Sequence, residues 1–263
     1  MIILKKNTLS NVIIFILLPV LIACTPLVLM AAASGENTSY DWYFKPNETH
    51  EQPALIPEAT FLNEYKSVIA LGNKDEKKLY LTFDAGYDNG CMADILDTLK
   101  EKKVSAAFFV DGNFVKNNAE LVCRISSEGH VLGNHSLSHA DMSRLTDFEK
   151  YKEQIRGWDK LVTEAGATPT IYFRFPCGRF SRQALDYNEK LGIKSVFWSF
   201  AYYDWDTAKQ PDRQAALNKI ISRTHNGAVL LLHSVSRTNA DILGEYIDKM
   251  RADGYTFDSI ANL

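Results

Sequence analysis

The sequence predicts an α/β fold of roughly six or seven β/α units, a parallel sheet covered by helices that either closes into a barrel or is doubly wound. Two observations predict it. From Lys77 onward, short aliphatic runs alternate with amphipathic helical stretches. The polar residues able to do chemistry collect where those runs end, which is where β/α barrels build their sites. A chain of 263 residues, 46% hydrophobic and 23% charged, is enough for one principal domain with a full core. The formal net charge of −3 comes without a basic stripe, so no nucleic-acid partner is expected.

Residues 1–33 read as a signal peptide or a membrane anchor. Lys5 and Lys6 precede an apolar run from Val12 to Met30, and the small residues Ala31, Ala32, Ala33 and Ser34 follow in the order of an export signal. The run is broken by Pro19, Cys24-Thr25 and Pro26 and is close to the ~20 apolar residues of a spanning helix, so both cleavage and retention as an anchor stay open. Leu21-Ile22-Ala23-Cys24 also resembles a lipoprotein box. The protein is therefore expected outside the cytoplasmic membrane, touching it only through this segment. Cys91, Cys123 and Cys177 remain beyond it, an odd number without CxxC spacing, which indicates neither a disulfide framework nor a cysteine zinc site. Residues 34–76, rich in Asn, Pro, Glu and Thr but carrying Tyr40, Trp42, Tyr43 and Phe44, read as a linker and an arm docked on the domain that occupies 77–263.

Within that domain the elements follow in order. Leu79–Phe83 is a strand and Met92–Lys102 a helix. Ala106–Val110 is the next strand, followed by a helix over Glu120–Glu128 closed by Gly129. The short strand Val131–Gly133 precedes a helix opened by Thr146, with Glu149 three residues on as a capping box. Thr170–Phe173, Ser195–Phe200 and Ala228–Leu232 complete the strands. Helices over Ser181–Leu191, Asp212–Thr224 and Asn239–Ala252 separate and follow them, the last ended by Gly254.

Four strand ends carry candidate chemistry. In Thr82–Gly90 a strand delivers Asp84 into a glycine-containing turn, where it serves either as a base or as a turn or helix cap; Tyr87 in the same turn is a candidate for substrate contact. His135 and His139 are four apart, a spacing that on a helical turn places both imidazoles on one face, about 5–6 Å apart, suited to two ligands of one divalent ion. Arg174, in Arg174-Phe175-Pro176-Cys177-Gly178, could orient a carboxylate and keep it ionised. A thiolate nucleophile at Cys177 would need an activating base, and a buried inert thiol is the commoner condition. Finally, Tyr203-Asp204-Trp205 and Leu231-Leu232-His233 bring a carboxylate and a histidine to strand ends, where Asp204 bound to the imidazole of His233 would tune it as a proton donor.

From about Lys77 to Leu263 this ordered set resembles the polysaccharide deacetylases of the NodB-homology type. That family reads T-F-D-D-G, H-[ST]-x-x-H, R-x-P-x-G, Asp-Trp and L-x-H in order, matched here by Thr82–Gly86, His135–His139, Arg174–Gly178, Asp204-Trp205 and Leu231–His233. Gly133–Ser136, Val196–Ala201, Val235–Ala240 and Tyr40–Lys45 make the chain similar to the delta-lactam-biosynthetic subgroup, the muramic-acid deacetylases of spore cortex. The resemblance implies a distorted (β/α) barrel of seven or so units. It implies Asp84 as general base, Arg174 as its partner, His135 and His139 as metal ligands, and His233 as general acid aided by Asp204. Trp205 and Leu231 would wall the acetyl pocket, and Cys177 would offer its backbone N–H to the oxyanion. The implied metal is divalent, zinc first, with manganese and cobalt as alternatives, and the partner is peptidoglycan, with chitin or xylan as rival glycans. The place of action it points to is the cell wall or, for cortex synthesis, the forespore intermembrane space. One position departs from the pattern. Ala85 stands where the family has its metal-binding Asp, so the ion would be weakly held unless Asp88 or another group completes its sphere. A glycan-binding paralogue that has lost its metal is the alternative of a different class.

Overall fold

The computed structural model describes residues 37–54 and 56–263, so the signal or anchor expected over 1–33 lies outside the described residues. The elements are β1 (Tyr40–Asp41), β2 (Val68–Ile69), β3 (Lys78–Ala85), α1 (Cys91–Lys102), β4 (Ala107–Val110), α2 (Gly112–Asn117), α3 (Ala119–Ser127), β5 (Val131–Asn134) and α4 (Phe148–Glu164). They continue with β6 (Tyr172–Phe173), β7 (Arg179–Phe180), α5 (Arg182–Lys190), β8 (Lys194–Val196), α6 (Arg213–Arg223), β9 (Ala228–His233), α7 (Arg237–Ala252) and β10 (Thr256–Phe257).

The strands run in the order β10-β3-β4-β5-β6-β8-β2, with β9 also on β3, and every pairing in this sheet is parallel. The curl continues past β8. Ser199 N–H donates to Val229 O at 2.9 Å and Leu231 N–H to Phe200 O at 2.8 Å, carrying the chain round to β9. The result is a curled parallel sheet: of the two arrangements the alternating pattern left open it is the barrel-like one, as the family resemblance implied. In β3 every residue after Lys78 is buried, as expected of a parallel strand covered on both faces.

Successive side chains on a strand point to opposite faces, and that period divides the core. Leu79, Leu81, Phe83, Phe108, Val110, Leu230 and Leu232 pack outward against α1, α3 and α7. Tyr80, Ala107, Phe109, Val196 and Val229 pack together on the inner face. Gly133 belongs to the inner arrangement, because a Cβ there would lie 2.3 Å from the Phe109 ring.

The arm is integral to the fold. β1 pairs antiparallel with β7, and the Trp42 indole stacks on Phe197 at a centroid distance of 4.5 Å while donating from Nε1 to Trp198 O at 2.9 Å. β2 falls inside the stretch expected to be linker and arm, yet pairs with β8 as part of the sheet.

Other expectations need correction. The helix expected to open at Thr146 is capped by Asp147, whose Oδ1 accepts from Lys150 N–H at 3.0 Å; Asp and Thr cap comparably, so sequence alone does not choose between them. The short α2, capped by Asp111, was not expected, because six residues are too few to display a helical period. The strand expected over Ser195–Phe200 is regular only to Val196, since Phe197 to Phe200 leave the ladder to meet β2 and β9.

Candidate active site

Asp84, the last residue but one of β3, lies in register with His233 at the end of β9. Around Asp84 the fold assembles a fully buried cation. Arg174 Nη1 donates to Asp84 Oδ1 at 2.7 Å, while Nε donates to Val196 O at 3.1 Å and Nη2 to Phe197 O at 3.3 Å. The guanidinium lies over the Phe109 ring, 4.2 Å from its centroid, which is why Gly133 must leave that ring room. Burial by itself would raise the Asp84 carboxyl, but the charges of Arg174, His135 and His233 and the Arg174 hydrogen bond outweigh it, so its pKa is lowered. Asp84 is thus held as an acceptor.

The two histidines of the H-x-x-x-H segment are brought together, though not by a helix. Residues 135–141 form an irregular loop after β5, with Ser136 at φ 68 and His139 at φ 54, both left-handed. The loop is pinned from outside it. Asn134 Oδ1 accepts from Ser136 N–H at 2.8 Å, and Gln154 on α4 accepts from Leu137 N–H at 3.0 Å through its carbonyl and from Ser138 N–H at 3.1 Å through Oε1. The imidazole centroids are 5.0 Å apart, so the expected proximity holds with a different backbone.

The residues present fit a divalent cation. His135 Nδ1 lies 2.9 Å from Arg174 O; a carbonyl only accepts, so Nδ1 carries the proton and Nε2 keeps its lone pair. Burial lowers the His135 pKa to about 4, against the opposing pull of Asp84 3.7 Å away, so the ring is neutral. His139 is exposed beside it. Among the described residues no three His, Cys, Asp or Glu side chains are set to hold an ion. Asp88 is not among the residues that line the cavity.

Opposite Asp84 stands a second dyad. Asp204 is fully buried; its Oδ1 accepts from His233 Nδ1 at 2.7 Å, and its Oδ2 accepts from His233 N–H at 2.9 Å and Asn239 Nδ2 at 2.6 Å. Burial would lower the His233 pKa, but the hydrogen bond and charge of Asp204, with the charge of Asp84, raise it. Nδ1 is committed to Asp204, which leaves Nε2 to exchange a proton.

These groups open onto a cavity of about 560 Å³ lined by Asp84, His135, His139, Cys177, Gly178, Trp198, Ala201, Tyr202, Trp205, Leu231 and His233. Trp205 is 50% exposed and its ring centroid lies 5.7 Å from that of His233; Leu231 is buried beneath them. Cys177, expected as a buried thiol, is exposed at the cavity with φ 56, because its turn after β6 takes a left-handed step there. Tyr87 is half exposed but does not line the cavity. Sequence reasoning missed Asn239, which clamps Asp204 and itself accepts from the Tyr202 hydroxyl, as well as Trp198 and Ala201. Asn239 sits in the first turn of α7, where its sequence signal is indistinguishable from that of an ordinary helix-start residue.

Comparison with known proteins agrees with this geometry. The sequence profile of the family described as polysaccharide deacetylase matches residues 71–196. The peptidoglycan-N-acetylmuramic acid deacetylase PdaA of Bacillus subtilis is 38% identical over 245 residues, 91% of this chain and 93% of that protein. The solved structure of B. subtilis PdaA, a family 4 carbohydrate esterase, superposes with a TM-score of 0.83 over 86% of this chain and 97% of that one. A family 4 carbohydrate esterase from Bacillus anthracis superposes with a TM-score of 0.71 at 36% identity, over 86% of this chain and 96% of that one. Five ordered motifs converge on one cavity, and similarity runs along nearly the whole chain: this protein belongs to the polysaccharide deacetylase family of hydrolases.

Proposed function

We propose that this protein removes the N-acetyl group from muramic acid residues of exported peptidoglycan and that it serves muramic delta-lactam formation in spore cortex. The observation that carries the reading is the opposition of two dyads across one cavity, Asp84 held ionised by Arg174 and His233 held protonated by Asp204. The near full-length similarity to a muramic acid deacetylase supports the choice of glycan. The zinc-first choice rests on the donor set of two imidazoles beside a carboxylate, and export rests on the segment 1–33.

In this reading the acetamide carbonyl sits between His135/His139 and His233, with its methyl group against Leu231 and Trp205. His135 and His139 would hold the divalent ion, which would supply Lewis acidity to that carbonyl. Asp84 takes the proton of the attacking water, and Arg174 keeps the carboxylate oriented and anionic until it does. As the tetrahedral adduct collapses, the C–N bond breaks and His233 Nε2 gives its proton to the departing sugar amine, while Asp204 stabilises the imidazolium beforehand. Acetate and a glucosamine-type amine are the products.

The test is acetate release from purified peptidoglycan, with and without chelator, followed by mass spectrometry of the muropeptides. Release lost to chelator and restored by zinc, with the acetyl loss located on muramic acid, supports the proposal. No release even with added zinc, manganese or cobalt would overturn it. Acetyl loss confined to glucosamine would overturn the choice of substrate alone.

A further inference from the structure

Beyond the residues used above, the inner face of the barrel delivers one more charged group to the same end. Alternate positions share a face, so the inner series are Tyr80, Thr82, Asp84 on β3 and Val229, Leu231, His233 on β9. On β4 the series is Ala107, Phe109 and, one step past the strand, Asp111. Asp111 is 6% exposed and has no part in the two dyads. Its N–H donates to Ala85 O at 3.2 Å, and the next residue, Gly112, donates its N–H to Ser136 O at 3.1 Å. The contact on both sides is close. A Cβ on Gly86 would lie 3.1 Å from Asp111 Oδ2, and one on Gly112 would lie 2.3 Å from Leu137 O. The Asp111-Gly112 backbone is therefore wedged between Ala85 and the loop that carries His135 and His139, with the Asp111 carboxylate against Gly86.

Its charge is unbalanced. Of the buried carboxylates, Asp84 has Arg174 at 2.7 Å and Asp204 has His233 at 2.7 Å, whereas among the described residues Asp111 forms no ion pair within 4.0 Å. It accepts from the Phe114 amide at 2.8 Å, and burial raises its pKa against the lowering effects of that hydrogen bond and of the charge of His139. Burying a carboxylate without a cation is costly, and the vicinity of the two imidazoles is where a cation would offset that cost.

We propose that Asp111 is the charge-balancing carboxylate of the metal site: from outside the coordination shell it supplies the negative charge that Ala85 withholds. An indirect role agrees with the lack of a third direct ligand and with its position behind the residues that line the cavity. The proposal rests on the metal reading of His135 and His139, but its test needs no substrate.

The experiment is zinc titration of the full-length, chelator-stripped protein by calorimetry, with thermal midpoints of the metal-free protein measured alongside. Asp111→Asn keeps a helix cap as good as Asp and removes only the charge. It should raise the metal-free midpoint, because an unbalanced buried charge is removed, and weaken zinc binding by about 10–100-fold, the usual cost of losing a carboxylate beyond the direct ligands. Ala85→Asp in the Asp111→Asn background should recover much of that loss. If Asp111→Asn fails to fold, Asp111→Ser, another good cap, takes its place. Zinc affinity unchanged by the loss of the charge, or a parent protein that takes up no zinc, would overturn the proposal. Tight zinc binding without acetate release would sink the proposed activity and leave Asp111 in this role.

Discussion

The two dyads of the cavity are built from the same parts, a buried carboxylate and a nitrogen cation 2.7 Å away, and yet they hold protons in opposite ways. Around Asp84 the partner is a guanidinium, which does not titrate in the working range. All the adjustment falls on the carboxylate, which is kept deprotonated. Around Asp204 the partner is an imidazole, so the adjustment falls on the ring of His233, which is loaded with a proton. The difference teaches that Arg or His beside a buried Asp decides which half accepts a proton and which donates one, with the geometry nearly unchanged.

The largest break in that comparison should come from Asp84→Asn, which leaves Arg174 without an anion and the reaction without its base. Deacetylation is expected to fall by on the order of 10²–10⁴-fold, read as kcat on peptidoglycan; a fall of less than tenfold would remove Asp84 from the base role. Arg174→Leu next strips the cation from a buried carboxylate. We expect destabilisation of about 3–5 kcal/mol, measured by denaturant unfolding, together with an acid limb of activity moved to higher pH.

Asp204→Asn attacks the other half more gently. The ring of His233 then keeps the lowering effect of burial and loses the raising effect of Asp204, so the alkaline limb should shift to lower pH while the acid limb stays in place. The parent profile follows from the same signs. Activity needs Asp84 ionised and is lost as pH falls through its folded pKa, below its ordinary value of 3.8. It needs His233 protonated and is lost as pH rises through its folded pKa, above its ordinary value of 6.5. Stability divides likewise: the Asp84 contribution is present above about pH 3.8 and disappears in acid, whereas that of His233 is full below pH 6.5 and disappears in base. An unfolding free energy that does not change across either window would contradict this assignment. The smallest effect is expected from Cys177→Ser, because the thiol belongs to neither dyad. Activity within about twofold of the parent should remain, and full inactivation would revive a thiol nucleophile.

Much of this was legible beforehand where chemistry and period coincide. Asp84 and His233 close strands whose alternation is unbroken, so their placement at one end followed from local pattern, and the boundaries of β3 and β9 moved by only a residue or two. The H-x-x-x-H pair shows the limit. A spacing of four suggested a helical turn, but Asn134 and Gln154 bind the loop from outside, and hydrogen bonds of that kind override a local period. β2 was unreadable for a related reason, since two residues carry no periodicity and become a strand only because β8 offers a free edge.

By itself the sequence determined which groups exist and in what order they leave the strands; from that order came the parallel α/β sheet and the two acid–base candidates, and from its family resemblance the barrel and the gap at Ala85. Only the tertiary structure decided which cation stands beside which carboxylate, that Asn239 clamps Asp204, and that Asp111, beside Ala85, has no ion pair among the described residues. Those outcomes depend on contacts between residues far apart in the chain, as in the pairing of Asp84 with Arg174. Burial, which sets the value of every charge here, is a property of the packed sheet rather than of any segment in it.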